Sequence, residues 1–435
     1  KPKYIQGAYN KTFYMFFIIQ WKIILMENKT LNKLFIIIAV ILLILVAIFS
    51  RTSYSNNIDK LAYAIAIGID VGKNSSMQLS IQFSSTNEAS SGSGSSQSSE
   101  AIVYSVECSD INDGMNLINN YLSKRINLAH TRVIVFSEEF AATGVSDVIY
   151  TLINSVQIRP TANIVVSKCY AREFLQSASS KLEKLSARYY ETIPSSSEYT
   201  GYTQNISISQ FFYDIQNTRK NASAILGAVN TEASHSSANS EQESGKYTAG
   251  QAPINSEDPG IENTGLAVFI EDKLVGELNN IETICHLLAS NNLHYCNITI
   301  PNPLNVSDTI DLRLSTNSPV KKIKIVNGNP FIILDFNISC QLISMSENVN
   351  YFSEENIRKI EDAVNIYIKQ NMTEYLYKTS KELKADIAGL GKTAIHQFVT
   401  WNNWIDYKWL EKYKNAFFDI NVNSELKSGQ LLIET

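Results

Sequence analysis

The sequence predicts a mixed α/β (α+β) fold, in which mixed sheets packed by helices form three exported domains after one N-terminal membrane helix. Two patterns predict it: an uninterrupted apolar run near the N-terminus, and strand periods that alternate with helix periods along the rest of the chain. The 435 residues are 44% hydrophobic and 18% charged. A chain of this size and composition can bury a large core, so global disorder is excluded.

Charge and cysteine content exclude two classes of protein. The formal net charge is −5, whereas nucleic-acid binding needs a clustered basic surface, so no nucleic-acid partner is expected. The five cysteines are too few and too scattered over 435 residues to form a disulfide framework. The fold therefore has to be held together by packing.

The apolar run extends from Leu34 to Phe49, and Lys29 and Lys33 precede it. A helix over this run would span about 24 Å, somewhat less than the hydrocarbon core of about 30 Å. A retained anchor and a long signal-peptide core both fit this length. Because the run does not end in the small residues of a cleavage site, we expect a retained anchor, with its lysine-bearing end in the cytoplasm and the rest of the chain exported.

The residues before this run are interpreted separately. Met15 and Met26 are the early candidates for a start, and a start at Met26 gives a short basic segment before the apolar run. We therefore interpret residues 1–25 as a non-native or upstream extension, and residues 26–55 as the n-region and membrane helix. An interfacial amphipathic segment held by Trp21 is the alternative for the extension.

The first exported domain, of α/β type, is predicted over residues 56–196. Strand and helix periods alternate there, as in βαβ units that build a mixed sheet. Nine serines between Ser84 and Ser99 predict a flexible connection. The predicted strands are Leu61–Asp70, Met77–Phe83, Ala101–Glu107, Thr131–Phe136 and Ala162–Ser167, and the predicted helices are Asp110–Ile126, Val145–Ile153 and one that begins at Ala171.

A middle domain is predicted over residues 197–305. It contains a helix around Phe211–Ile215 and a hairpin whose strands are Leu266–Ile270 and Leu274–Leu278. Residues 231–260 carry almost no large apolar side chains, so burial cannot offset their ordering entropy, and we predict a flexible linker.

The C-terminal domain is predicted over residues 306–435, as α+β. Strands at Val320–Val326 and Phe331–Leu342 flank a turn. Ser353 is placed to cap a helix, and a strand at Phe418–Leu426 follows. The predicted buried face of that helix is Ile357, Ile360, Val364, Ile368 and Met372.

A stretch from Asp386 to Thr393 ends in Gly-Lys-Thr, as a phosphate-binding loop does. That loop requires glycine where Asp386 stands, and it follows a strand, whereas the pattern here predicts a preceding helix. We therefore predict a structural turn, with the glycines capping the helix.

Cys285, His286, His294 and Cys296 are residue types that bind zinc. Their spacing does not fit a zinc site, because Cys285 and His286 are adjacent. We predict an amphipathic helix over Glu282–Ala289 whose cysteine and leucines are core residues, and a disulfide between Cys285 and Cys296 stays open.

No catalytic, metal or cofactor site is predicted elsewhere. Glu138 and Glu139 are adjacent and diverge on a helix, and no nucleophile motif of the G-x-S-x-G type occurs. His130 precedes a strand and is expected to be structural. The tryptophans from Trp401 to Trp409 are expected to pack in a core, with an exposed interface as the alternative.

Four motifs occur in order along the chain. They are IGID at Ile67–Asp70, HTRVIVFSEEFAATG at His130–Gly144, TGLAVFIEDKLVGEL at Thr264–Leu278, and a closing block that begins at Asp386. Together they resemble the Ger(x)C family, the C subunit of bacterial spore nutrient germinant receptors, although Leu266 stands where the family has Thr. The matching positions, expected to be structural or interface residues, are Gly68, Asp70, His130, Glu139, Ala141, Gly144, Arg159, Gly265, Phe269, Gly276, Gly389, Gly391, Trp401 and Trp409.

The resemblance implies a protein of three mixed α/β domains, attached to the outer face of the spore inner membrane. It implies a non-enzymatic subunit without a cofactor, which works with a polytopic A subunit and a transporter-like B subunit to start germination. A nutrient ligand is expected on another subunit.

The chain departs from the family at one place. Family members are typically lipoproteins with a cysteine just after the apolar run, whereas residues 47–54 contain none. We expect the helix from Leu34 to Phe49 to replace the lipid anchor. Two other functions stay open: a nutrient-binding module, which a ligand-induced thermal shift would support, and an envelope hydrolase, which release of sugar or peptide from cell wall would support.

Overall fold

A computed structural model describes residues 29–50, 60–84, 102–178, 186–230, 245–254, 260–305, 307–316, 318–344 and 350–427. The predicted extension 1–25 and nearly all of the predicted serine-rich connection lie outside the described residues. The chain divides into two units, residues 1–60 and residues 61–435.

The first unit contains the helix α1 (Lys29–Ser50), which includes the apolar run. Its side chains from Lys33 to Leu45 are exposed. Within the described residues, no helix combines the length and the hydropathy that crossing a membrane requires.

The second unit contains a large sheet, whose described strands lie in the order β3-β2-β1-β5-β6-β7-β8-β9, with β4 paired to β1. The strands β1, β5, β6 and β7 are parallel neighbours, and antiparallel strands flank them on both sides. The strands are β1 (Leu61–Val71), β2 (Met77–Phe83), β3 (Ile102–Cys108), β4 (Arg125–Asn127), β5 (Val133–Ser137), β6 (Asn163–Ser167), β7 (Ser223–Asn230), β8 (Gly260–Ile270) and β9 (Lys273–Leu278).

Short helices connect these strands and cover the sheet. Alternate residues of a strand point to opposite faces, so Ile134 and Phe136 of β5 enter the larger core, while Val133 and Val135 enter a smaller one. The helices are α2 (Ile111–Tyr121), α3 (Glu138–Thr143), α4 (Ser146–Ile153), α5 (Ala171–Ser177), α6 (Ser186–Ser195), α7 (Ser197–Thr200), α8 (Ile208–Ile215) and α9 (Asn280–Ser290).

A second sheet follows α9. Its long strand β13 pairs antiparallel with β11 and β12, and parallel with β14. The strand β10 pairs with β11. The strands are β10 (Tyr295–Pro301), β11 (Thr309–Thr316), β12 (Val320–Val326), β13 (Asn329–Ser344) and β14 (Phe417–Lys427).

The long helix α10 (Glu354–Tyr377) packs on this second sheet against β14. Ser353 caps it as predicted, since its side chain accepts a hydrogen bond from the Asn356 N–H. Four of the five predicted core positions are buried, and Ile357 is half-buried. The remaining helical segments are a π-helical turn (Lys378–Glu382), α11 (Gly391–Ala394), a 3-10 turn (Ile395–Gln397), α12 (Trp401–Tyr407), α13 (Trp409–Lys412) and a second 3-10 turn (Tyr413–Asn415).

The free edge of β14 is covered by side chains of α10. The Ser424 N–H donates to Asn365 Oδ1 at 2.8 Å, and the Leu426 N–H donates to Glu361 Oε1 at 2.8 Å. These bonds satisfy edge groups that would otherwise be free to pair with another strand.

Three local predictions differ from the structure. The predicted helix Asp110–Ile126 ends at Tyr121, because Ile126 joins β4 and pairs with β1. The strand β7 was not predicted. Part of the predicted linker is packed: Ala249 is 2% exposed, and the Tyr247 N–H donates to Asn280 Oδ1 at 2.9 Å.

Both predicted domain boundaries fall between paired strands. The boundary at 196/197 lies within the first sheet, because β7 pairs with β6. The boundary at 305/306 lies within the second sheet, because β10 pairs with β11. The fold class is nevertheless the predicted one, a mixed α/β fold with helices packed on two sheets.

Candidate functional site

The motif positions form two groups. Most are buried where two segments that are distant in sequence contact each other, and each such contact is called a joint. A smaller group is exposed.

The first joint lies at the end of β1. The Asp70 carboxylate accepts hydrogen bonds from the Ala171 N–H at 2.7 Å and the Arg172 N–H at 3.1 Å, at the start of α5. Gly68 allows α5 to approach, since a Cβ there would lie 3.0 Å from Leu175 Cδ1. Burial raises the pKa of the Asp70 carboxyl, and the hydrogen bonds it accepts oppose the rise.

The second joint connects α4 to the β8–β9 hairpin. The helix α4 has no side-chain cap of its own. Instead, Asp272 of the hairpin accepts from the Ser146 N–H through its carboxylate and from the Val145 N–H through its main-chain oxygen, both at 3.1 Å. Gly144 has φ 124°, and a Cβ there would lie 2.8 Å from Asp272 Oδ2. Ala141, one turn earlier, is fully buried.

Three further motif positions shape the hairpin itself. Gly265 has φ 98°, and a Cβ there would lie 2.2 Å from the Leu278 main-chain oxygen, so a side chain is excluded. Gly276 leaves room for Leu383, whose Cδ2 would lie 2.5 Å from an added Cβ. Phe269 is fully buried and packs edge-to-face on a phenylalanine of α8.

The third joint is centred on Asp386, which is fully buried. Its carboxylate accepts from the Leu390 N–H at 3.0 Å, the Gly391 N–H at 2.8 Å and Trp409 Nε1 at 2.8 Å. Its own N–H donates to Asn221 Oδ1 at 2.9 Å, and its main-chain oxygen accepts from the Asn221 N–H at 2.8 Å. Burial raises the pKa of the Asp386 carboxyl against these hydrogen bonds.

The glycines of this joint allow two segments to touch. A Cβ on Gly391 would lie 2.4 Å from the Arg219 main-chain oxygen, and Gly389 has φ 70°. Beside them Lys220 Nζ pairs with Asp214 Oδ2 at 2.8 Å, and both side chains are buried.

The Gly-Lys-Thr segment therefore forms the predicted structural turn. The N–H groups of Leu390 and Gly391 are the donors that a phosphate would need, and the chain's own Asp386 already accepts from both. A carboxylate of the protein occupies the place of the anion.

The remaining motif positions are exposed. His130, Glu139 and Arg159 lie on the surface. The His130 ring packs edge-on against Tyr63, with ring centroids 4.8 Å apart. Trp401 is 56% exposed, in contrast to Trp409, so the predicted aromatic core includes one but not the other.

Of the four residues of zinc-binding type, Cys285, His286 and Cys296 are buried in the core, whereas His294 is exposed. His286 is fully buried between the Tyr375 hydroxyl and Gln204 Oε1, each 3.0 Å from a ring nitrogen. Burial, aided by two nearby lysines, lowers the pKa of His286 to about 3. Cys285 and Cys296 are free thiols, as are the other three cysteines. Within the described ranges, no group of three His, Cys, Asp or Glu side chains is placed to hold a metal ion.

Next to Cys285 lies a cavity between α9, α10 and the second sheet. Its lining is mostly aliphatic, and its volume is about 10 Å³. That is about the space one water molecule requires, and far less than a small-molecule pocket of roughly 300 Å³ or more.

Sequence reasoning missed the partners that complete the joints. Asp272 lies inside the third motif, so the motif itself carried a signal for it. Asn221 carries no such signal, because its partner Asp386 lies far along the chain. The Lys220–Asp214 pair lies outside all four motifs.

Comparison with known proteins shows that the segments carrying these motifs match two protein-family models. A family model described as the spore germination protein N-terminal domain matches residues 54–230. A second, described as spore germination B3/GerAC like, C-terminal, matches residues 264–429.

One relative and one solved structure are also similar. YfkR of Bacillus subtilis (strain 168), whose name marks it as a proposed spore germination protein, is 24% identical over 416 residues, which cover 94% of this chain and 99% of YfkR. The crystal structure of the GerBC protein is 15% identical, with a TM-score of 0.48, and the match covers 83% of this chain and 96% of that one. With both family models matched in order over most of its length, the chain belongs to the GerAC-like, or Ger(x)C, family of spore germination proteins.

Proposed function

We propose that this chain is the C-type subunit of a nutrient germinant receptor, and that it acts through contacts with other subunits without catalysing a reaction. The observation that carries the proposal is the pair of family matches, which together extend from residue 54 to residue 429 with one gap, 231–263.

The chemistry of the motif residues supports a structural role. The carboxylates of Asp70, Asp272 and Asp386 all accept hydrogen bonds from backbone N–H groups that start a helix or a turn. A carboxylate committed in this way holds two segments together and is not free to act as a general base. The motifs therefore maintain the shape of a surface that partners recognise.

The proposed partners are the polytopic A subunit and the transporter-like B subunit of the receptor. The nutrient is proposed to bind another subunit of the receptor.

The proposed location is the outer face of the spore inner membrane, with the apolar run of α1 as the anchor. The run from Leu34 to Phe49 has no charged residue, and residues 47–54 contain no cysteine that could take a lipid. Protein from spores should stay with the membrane fraction in high salt. A mature chain that begins after Ser50 and is released by salt would refute the anchor.

Deletion of the gene tests the proposed function. Spores without the chain should lose their response to at least one nutrient and keep their response to nutrient-independent triggers, and a complementing copy should restore the first. Equal responses of deleted and complemented spores to every nutrient would contradict the proposal.

A further inference from the structure

Three apolar side chains protrude into solvent at the start of α12. Val399 is 95% exposed, Trp401 is 56% exposed and Ile405 is 41% exposed. Trp401 and Ile405 are one turn apart on the same helix face, and Val399 directly precedes the cap residue Thr400. These three side chains are named the apolar tip.

The tip stands on a rigid base. Trp404, on the adjacent, buried side of α12, is 1% exposed, and its Nε1 donates to Thr218 Oγ1 at 3.1 Å. The Phe398 ring packs on Trp404 with centroids 5.4 Å apart, and the Tyr407 hydroxyl donates to the Gly328 main-chain oxygen at 3.2 Å. The buried side of the helix is therefore occupied by Trp404 and its contacts, and the tip residues lie outside the core.

The tip also leaves a common helix contact unmade. An apolar residue just before a helix cap usually packs on the fourth helical residue, which here is Trp404. Val399 is instead almost fully exposed, so folding of the chain does not account for its placement.

Lysines outnumber acidic residues in the chain segment that carries the tip. Between residues 391 and 415 there are four lysines and two acidic residues, all exposed, in a chain whose net charge is −5. One of the lysines pairs with an acidic residue, Lys408 with Glu411 at 3.3 Å. The four lysines are Lys392, Lys408, Lys412 and Lys414, and the two acidic residues are Asp406 and Glu411.

We propose that the apolar tip contacts a lipid surface that carries anionic headgroups. Tryptophan is enriched at the membrane interface because its ring is apolar and its N–H is polar, and lysines near an anionic surface strengthen binding to it. The positive charge around the tip complements such headgroups. The inference rests on the proposed membrane anchor, because the anchor is what would keep the chain at a lipid surface.

Quenching by brominated lipid tests the contact in the full-length chain. The chain would carry Trp21→Phe, which removes the tryptophan outside the described residues. It would be reconstituted in vesicles of phosphatidylglycerol and phosphatidylcholine, the latter brominated close to the headgroup. We expect bromination to reduce the tryptophan emission, and Trp401→Phe to abolish that reduction, since Trp404 and Trp409 are buried.

Charge variants provide the matched control. The double variant Lys392→Gln and Lys412→Gln should show weaker quenching than the parent in anionic vesicles and the same quenching in vesicles of phosphatidylcholine alone. Equal thermal unfolding midpoints of all variants would show that the fold is retained.

The outcomes separate this inference from the proposed function. Flotation of the vesicles in a density gradient shows whether the chain is bound to them. If the chain floats with the vesicles but Trp401→Phe leaves the quenching unchanged, the lipid contact is wrong and the anchor stands. The tip would then be expected to contact a protein partner. If the chain does not float, both the anchor and the lipid contact are wrong. A deletion without effect on germination would overturn the receptor function and leave a positive quenching result intact.

Discussion

Asp386 illustrates what the motif residues do at the scale of a single side chain. Its carboxylate accepts from three donors in a site with no access to water. Each hydrogen-bond donor that is left unpaired in a buried site lowers the free energy of unfolding by about 1–3 kcal/mol. The residue therefore stabilises the turn, Trp409 and the contact with Asn221 together.

Replacing Asp386 by alanine should lower the free energy of unfolding by about 3 kcal/mol or more, because three buried donors lose their acceptor. Urea unfolding followed by tryptophan fluorescence would measure the loss, since Trp409 is one of the donors. Asp406→Ala, at an exposed position of α12, should change the stability by less than about 0.5 kcal/mol. Equal effects of the two variants would contradict the role of Asp386.

His286 makes stability depend on pH. Its pKa is lowered from 6.5 to about 3, so between these values the unfolded chain binds more protons than the folded chain. The stabilising contribution is therefore complete above about pH 6.5 and is lost as the pH falls toward 3, with a slope of up to about 1.4 kcal/mol per pH unit.

The slope can be assigned with two variants. In urea unfolding between pH 7 and pH 4 (about 2.5 units of the window set by this shift), His286→Gln should lose less stability on acidification than the parent chain. His396→Gln, at an exposed position, should follow the parent. A parallel fall in all three proteins would show that His286 is not the group responsible.

These residue-scale roles were only partly predictable. The glycine and aspartate positions were recognised as motif residues, but their partners were not, because Asn221 and Asp386 are 165 residues apart and no periodic pattern links them. The burial of His286 was not predicted, because only the cysteine and leucines of its helix were expected in the core. Nor were its bonds to Tyr375 and Gln204 predicted.

At the scale of elements, the β8–β9 hairpin caps a helix far away in sequence. Asp272→Ala removes the acceptor of the Ser146 N–H, and losing a cap of this kind costs about 1 kcal/mol. Hydrogen exchange in the first turn of α4 should become about fivefold faster. Glu271→Gln, at an exposed position of the same hairpin, should leave the exchange unchanged, and faster exchange in both variants would contradict a specific cap.

Elements with one clear period were predicted well. The strand β2 matches its predicted bounds, and the hydrophobic face of α10 is the predicted one except for Ile357. The predicted helix over Asp110–Ile126 extends beyond the observed end at Tyr121. Ile126 fits the helical spacing of apolar residues, but it belongs to β4 and pairs with β1. The strand β7 is buried on both faces, so it lacks the alternation that marks a half-exposed strand.

At the scale of the molecule, mixed α/β folding was predictable from the alternating strand and helix periods, whereas sheet pairing across the predicted domain boundaries was not. Sheet pairing between β6 and β7 joins segments that a helix-rich stretch separates in sequence. The segment 245–254 is a second case in which a contact between distant segments could not be predicted. Its composition predicts a linker, yet the Gly250 N–H donates to the buried Glu262 carboxylate at 3.1 Å. Such contacts arise only once the sheet has formed.

The central claim is that the chain works as a receptor subunit through protein contacts. The most direct measurement is isolation of the tagged full-length chain from detergent-solubilised spore membranes, followed by identification of the proteins that accompany it. We predict that the A and B subunits of one germinant receptor are recovered with the parent chain and with Asp406→Ala, and in reduced amounts with Asp386→Ala. Recovery of the chain without either subunit, from membranes that contain both, would contradict the account.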